Sequence, residues 1–354
     1  LKAEGINARI INMATIKPLD KEIILKAAKE TDAFKPFEVH DFNSGWQNTR
    51  YRFNAISGNN RFSLEISGGK WNDDKKNKIL TFSRAEAGKR PEKLEIKWED
   101  RKKPEVIDQV AGFKIYTCNL LTYDERKALE EGNEEEAKKK NHQFLEKTEF
   151  AALVKKVIDS GKYADAKFRI LGTIDFQYSE KNNQYYRTLS VDKMYKVADD
   201  TPCKAEMTIN TFYTEDAIDG ESYDETKKYI FNCHTDYYFN SIKENRFVPM
   251  TLIIHGNGDE KAEKKANAFK KKLTEFDDEA TVRKCGLVCQ MIDGAQEQAI
   301  TYDDLDEDTR DNIDMGLIEL EDAIKALGGS MYGDRITEYR VQSLARNSAK
   351  GSEA

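Results

Sequence analysis

In "KFRILGTIDFQYSEKNNQYYRTLSVDKMYKV" (167–197) the apolar residues Phe168, Ile170, Ile174 and Phe176 fall on every second position, with Gly172 completing the phase. Period two marks a half-buried strand, and the polar "EKNN" marks the turn into a second one. Downstream, "CKAEMTINTFYT" (203–214) reads as a third strand and "EDAIDGESYDET" (215–226) as a polar, partly helical connector. Two further strands follow in "KKYIFNCHTDYYFN" (227–240) and "RFVPMTLIIHG" (246–256). Five strands in this order predict a closed barrel over 161–256, with a β-sandwich as the alternative. Gly172 is placed where a barrel strand must bend sharply.

The order is that of an OB barrel. Working outward, "RYRFNAIS" (50–57) alternates Tyr51, Phe53 and Ala55 with Arg50, Arg52 and Asn54. After the "SGNN" turn, Phe62, Leu64 and Ile66 alternate with Arg61, Ser63 and Glu65. This predicts a hairpin with Arg50, Arg52 and Arg61 on its outer face. With strands at "KILTFSR", "EKLEIKW" and "GFKIYTCNLL", it forms a small antiparallel β domain over 37–121. Residues 122–160 have helical composition and are expected to act as a connector. Beyond residue 256 come a basic helix, further strands, an acidic helix with Leu305, Ile313, Leu317, Leu320 and Ile324 inward, and a last strand, together an extension over 257–354. The fold class expected is mainly β with α additions (α+β).

The 354 residues allow two or three domains, and 16 Tyr and 17 Phe give them material for cores. No apolar run is long enough to cross a bilayer and no signal-peptide pattern is seen, so a cytoplasmic protein of a bacterial host is expected, with no membrane partner. Five widely spaced cysteines with four histidines argue against a zinc site or disulfide framework. Cys285 and Cys289 lie in a strand, where core packing competes with metal ligation. The formal charge of -7 is uneven: residues 296–322 hold eleven acids and Arg310, a local -10, which leaves -7 + 10 = +3 elsewhere.

Catalytic motifs were sought and none is found: no phosphate-binding loop, H-E-x-x-H, G-x-S-x-G or dinucleotide fingerprint. The acidic pairs Asp73/Asp74 and Asp303/Asp304 read as solvated residues. The expectations are therefore no enzyme, no cofactor and no metal. Aromatic and cationic residues interleaved on strands are the stronger signal, because single-stranded nucleic acid is held by base stacking and by cations along its phosphates. The candidate contacts are Trp46, Arg50, Arg52, Arg61, Trp71, Tyr178, Tyr186, Arg187, Lys196 and Tyr238. Tyr186, Thr188, Met194 and Lys196 are expected on the face opposite Leu189, Val191 and Val197. In the fourth strand Tyr229, Phe231, Tyr237 and Phe239 are expected inside and Tyr238 outside.

Two resemblances bear on these readings. Residues 6–16 form a short apolar run, Pro18 and Asp20 open a helix, and Ile23, Ile24, Ala27 and Ala28 recur at helical spacing, giving a β-α appendage over 1–33. This stretch resembles the C-terminal domain of transketolase, in which a strand with an "NM-TIKPLD" turn leads into such a helix. The likeness continues into "EVHDFNSG" (38–45), where that family has Glu-x-His followed by two glycines; here Ser44 stands at the first and Gly45 at the second. It ends by Trp46. The family's G-D-G followed by N-N has no counterpart, so no cofactor site carries over. His40 is a phosphate contact on this likeness, and a surface or core histidine otherwise.

From residue 37 onward the chain resembles OB-domain proteins of bacteriophages and mobile elements that bind single-stranded DNA, through the pattern of "YSEKNNQYYRTLSVDKMYKV" (178–197). The resemblance implies single-stranded DNA, or alternatively RNA, as partner. The acidic tail ending in Pro-Phe by which bacterial single-strand binders recruit partners is absent, and the acidic segment 303–322 is its candidate replacement as a protein-partner site. A virion structural protein and a thiamine diphosphate enzyme related to transketolase are the alternatives.

Overall fold

The computed structural model describes residues 36–85, 89–256, 259–276, 281–299, 302, 305–326 and 330–345. The appendage expected over 1–33 lies outside the described residues, as do Asp303 and Asp304. The described chain is mainly β with helices, and it builds two curled sheets by one repeated plan.

In the first half β1 (Phe37–Asp41), β2 (Trp46–Ser57) and β3 (Asn60–Trp71) form an antiparallel meander. A separate two-stranded sheet follows, β4 (Lys78–Phe82) with β5 (Lys93–Lys97), then α1 (Pro104–Ile107) and β6 (Tyr116–Asn119). Next come α2 (Tyr123–Lys138), β7 (Asn141–Phe144) and α3 (Lys147–Asp159), and then the hairpin β8 (Phe168–Ser179) and β9 (Gln184–Lys196). β9 runs parallel to β3 at Leu64↔Leu189 and parallel to β6 further along.

The second half repeats this order with β10 (Glu206–Tyr213), a short β11 (Ile218–Asp219), α4 (Tyr223–Thr226), β12 (Lys228–Phe239) and β13 (Glu244–His255). Then follow α5 (Glu260–Thr274), β14 (Arg283–Ala299), α6 (Glu307–Asp314), α7 (Leu320–Ala326) and β15 (Ser330–Leu344). β10 pairs along its length with β14, β14 with β15, β15 in parallel with β13 at Ile253↔Arg340, and β13 with β12. The bridge Phe212↔His234 returns from β12 to β10, so five strands form a closed circuit. With β4–β7, β11 and the helices α1, α2, α4, α6 and α7 set aside, each half runs strand, strand, strand, helix, strand, strand, with the third and fifth strands parallel.

This pairing corrects the expected boundaries. The strands of 161–256 do not make one barrel: β8 and β9 belong with β1–β3, while β10, β12 and β13 close only with β14 and β15 from the expected extension. The stretch 122–160 is not a mere connector either. β7 interrupts it, and α3 sends Phe150, Ala151, Val154 and Val157 into the first core. Glu146 caps α3 by accepting from the Thr148 and Glu149 amides, satisfying two of the helix's free donors. The acidic helix is two short ones. Leu305 and Ala323 are buried there with Ile313, Leu320 and Ile324 packed around them, but Leu317 is 67% exposed in the turn between the helices.

The alternation read in the hairpins holds: Tyr51, Phe62, Leu64 and Ile66 are buried in the first core, and Tyr229, Phe231 and Phe239 in the second, with Tyr237 packed against it. It slips once, in β9. Leu171 faces Lys193 but Gly172 faces Val191, so Asp192 is an extra residue. A bulge of this kind changes the phase of the strand, which turns Met194 inward beside Val191 and corrects the expected outward Met194. Gly172 is indispensable there: a Cβ at this position would lie 1.8 Å from the Ser190 carbonyl oxygen. Gly172→Ala is expected to part the strands at the bulge and cost about 1–3 kcal/mol, the usual range for overpacking. Urea unfolding would show it as a lower midpoint at constant slope, and an unmoved midpoint would contradict the close approach.

The β8–β9 hairpin locks the halves together. Phe176 of β8 sits in the second core with its ring 5.2 Å from Tyr237, and the Tyr237 hydroxyl donates to Asp175 at 3.2 Å. At the other end the Asp293 amide donates to the Asn60 side chain at 3.0 Å.

An ion triad secures the second circuit, where Glu338 of β15 accepts from Lys228 Nζ of β12 at 2.6 Å and from Arg340 Nε at 2.8 Å. Burial pushes the Glu338 carboxyl up, but the two cations outweigh it and hold it below the usual carboxylate range. A depressed folded-state value stabilises above the unfolded carboxyl pKa, and that stabilisation is lost as pH falls through it, below about pH 4. Glu338→Gln is expected to cost about 2 kcal/mol at neutral pH and to flatten the loss of stability between neutral and acid. Urea midpoints of both proteins across that range test this, and parallel curves would rule the triad out. Among the described residues no helix is long and apolar enough to cross a membrane.

Candidate nucleic-acid interface

Along β12 and β13 the inward residues form the core, which leaves a second set facing solvent. Opposed in register on that outer face are His234 and Pro249, Asp236 and Phe247, and Tyr238 and Asn245. Phe247 is 58% exposed and Tyr238 48%. Phe212 of β10 joins them, its ring 5.1 Å from Phe247 at an interplanar angle of 69°. Lys284, opposite Phe212 on β14, holds its ammonium 5.2 Å from the Phe212 ring centre. Two exposed rings, the half-buried ring of Phe212, His234 and one cation therefore share a surface whose one carboxylate among these residues is Asp236. A planar apolar group such as a base can stack on those rings, while Lys284 can meet an anion beside it.

Sequence reasoning found Tyr238 on this face but missed Phe212, Phe247 and Lys284. The signal was available. In β13 the buried set is Val248, Met250, Leu252 and Ile254, so Phe247 is an aromatic residue on the solvent phase. Phe212 departs from the buried phase of Met207, Ile209, Thr211 and Tyr213 in the same way.

The other candidates do not converge. Arg50 and Arg52 share the outer face of β2 as expected, but both reach Glu65, at 3.4 and 2.9 Å, so one carboxylate offsets part of their charge. Arg61 lies exposed on the same face near the hairpin turn, where its carbonyl accepts from Arg335 at 3.5 Å. Lys196 is bound by both oxygens of Glu125, at 2.7 and 3.0 Å. Arg187 is spent on the junction between halves, its guanidinium 4.8 Å from the Tyr339 ring. Tyr178 is half-buried against the second core and donates to Asn183 at 2.6 Å. Tyr186, more exposed, accepts from Asn182 at 2.7 Å. Trp46 and Trp71 pair edge to face at 5.2 Å, and Trp46 covers Gly69 so closely that a Cβ there would lie 2.2 Å from the indole. These two rings pack on their own hairpin. The candidate contacts thus divide between an aromatic face on the second half and a partly neutralised arginine face on the first.

Cys285 and Cys289 are buried in the second core, and burial pushes the Cys289 thiol up to about 12, which fits packing rather than metal ligation. His40 lies exposed on β1, its ring 4.4 Å from Phe42.

Against known proteins, residues 1–40 match the model of the transketolase C-terminal domain. A 1-deoxy-D-xylulose-5-phosphate synthase from Heliobacterium modesticaldum is 46% identical over 46 residues, which cover 13% of this chain and 7% of the synthase. No solved structure matches. The expectation of no enzyme is corrected by these two partial matches, which point from the N-terminal part of the chain to a family of thiamine diphosphate enzymes. They support the first of the two resemblances; neither bears on residues beyond this N-terminal stretch.

Proposed function

We propose that the β-rich body binds single-stranded nucleic acid on the outer face of β12 and β13. The observation that carries this is the Phe212–Phe247 ring pair, with Phe247 exposed and Phe212 half-buried, and Lys284 and Tyr238 alongside. The strand plan supports it. In residues 206–344 the first strand lies beside the second, the second beside the third, the third parallel to the fifth, the fifth beside the fourth and the fourth beside the first, with a helix between third and fourth, an order that favours reading this half as an OB-like barrel. OB barrels hold single strands on the face of their second and third strands, where Tyr238 and Phe247 lie, with Phe212 beside them on the first. A gel shift with labelled oligo-dT at two salt concentrations tests the reading. Retention at low salt that weakens at high salt is expected, and no retention at low salt defeats it.

A second reading is favoured by the N-terminal match: that the chain takes part in thiamine diphosphate chemistry. The sequence lacks the G-D-G followed by N-N that holds the cofactor in that family, so further polypeptide would have to supply it. Calorimetric titration of the full chain with thiamine diphosphate and magnesium tests it, saturable heat supporting the reading and its absence opposing it.

A further inference from the structure

β13 and β15 run parallel and are bridged at Ile253↔Arg340. β13 ends two residues later at His255, whereas β15 continues along β14 to Leu344, and α5 packs against this end of the circuit. The helix turns Ala262, Ala266 and Phe269 toward it, a single face at helical spacing. Two alanines there do not fill the space, and a cavity of about 220 Å³ is left between helix and strands. Its floor is apolar, with Ile254, Ala266 and Val341 buried beneath it. Its rim is polar: His255 from β13, Lys265 from α5, Arg340 from β15, and Gln290, whose side-chain oxygen accepts from Gln342 at 3.4 Å.

The charges around this rim do not cancel. Lys228 lies opposite His255 on β12, and Glu338 is shared between Lys228 and Arg340. Glu263 of α5 is paired with Lys227 at 3.4 Å. Lys228, Arg340 and Lys265 against Glu338 therefore give +3 - 1 = +2. His255 registers the field: burial, then Arg340 and Lys228, hold its imidazole below the usual histidine range, with Glu338 opposing them. A neutral imidazole still donates one N–H. Pockets that enclose drug-sized molecules begin at roughly 300 Å³, so the occupant must be smaller. A guanidinium fork with an ammonium beside it suits a compact oxyanion carrying two charges.

We propose that this cavity is a binding site for a small free oxyanion of the phosphate class, held by Arg340 and Lys265 with His255 and Gln290 beside them. It lies eight residues along β13 from Phe247, about 26 Å, and does not depend on the nucleic-acid reading. Imidazole signals of the full chain test it by NMR, with inorganic phosphate titrated against sodium chloride of equal ionic strength and His255→Gln assigning the signal. Phosphate should shift the His255 signal saturably and raise its titration midpoint by about half a pH unit or more, since a bound anion favours the imidazolium, while His40, His142 and His234 stay where they are. Lys265→Gln, at an exposed helical position, should weaken the binding about tenfold, the share of one charge-assisted contact. Ala262→Leu, which fills the cavity, should abolish it. A drift that chloride reproduces overturns the proposal, and so do variants that saturate as the parent does. Displacement of phosphate at His255 by oligo-dT also overturns it, since a backbone phosphate would then be the occupant.

Discussion

Phe231→Ala is expected to lower stability by about 3–5 kcal/mol, a large part of what a domain of this size possesses. Phe231 on β12 is 0% exposed and meets Tyr213 edge to face at 4.9 Å. Leu252 and Leu287, also fully buried, belong to the same core. Removing the ring loses its transfer free energy and leaves a cavity. The cavity cannot easily collapse, because β12 is bonded to β13 on one side and bridged to β10 on the other, within a closed circuit. Phe247→Ala, on the solvent face of the neighbouring strand, should by contrast stay within about 0.5 kcal/mol of the parent. Urea unfolding followed by circular dichroism distinguishes them. Similar midpoints for the two variants would mean that the inward and outward faces are wrongly assigned. Because Phe176 of the first half lies in this core, Phe231→Ala should also loosen the β8–β9 hairpin.

The same contrast explains what could be read from the sequence. Period two gave the strands and their faces, so Tyr51, Phe62, Leu64 and Ile66 in one half and Tyr229, Phe231 and Phe239 in the other lie where alternation puts them. Pairing was another matter. Alternation states which way a side chain points and says nothing of which strand lies alongside, and the decisive pairs are distant in sequence: Leu64 with Leu189, Ile209 with Leu287, Ile253 with Arg340. Counting five successive strands therefore cut both sheets in the wrong place. The bulge at Asp192 was hidden for a related reason, since an extra residue shows only against its partner strand. For the site, Glu65 already alternated onto the face of Arg50 and Arg52, so their partial neutralisation was legible, whereas Lys196 found Glu125 only through folding.

Replacing both Phe212 and Phe247 by Ala should weaken binding of oligo-dT by about 2 kcal/mol or more, roughly thirtyfold, if each ring carries part of a base stack. The two rings touch each other and stand on β10 and β13, so the loss of one leaves the other without its edge-to-face partner, and the double variant removes the platform as a unit. Phe247 is exposed and Phe212 only half-buried, so the fold should survive, which circular dichroism would verify before binding is measured. Lys284→Ala should act differently, reducing the dependence of affinity on salt by about 0.7 in the logarithmic slope, the share of one phosphate contact on a single strand. Arg50→Ala should do little, because Glu65 already draws on that guanidinium. Should the arginine variant abolish binding while the double phenylalanine variant binds as the parent does, the strand would lie across β2 and β3. The aromatic face of the second half would then have no part in holding it.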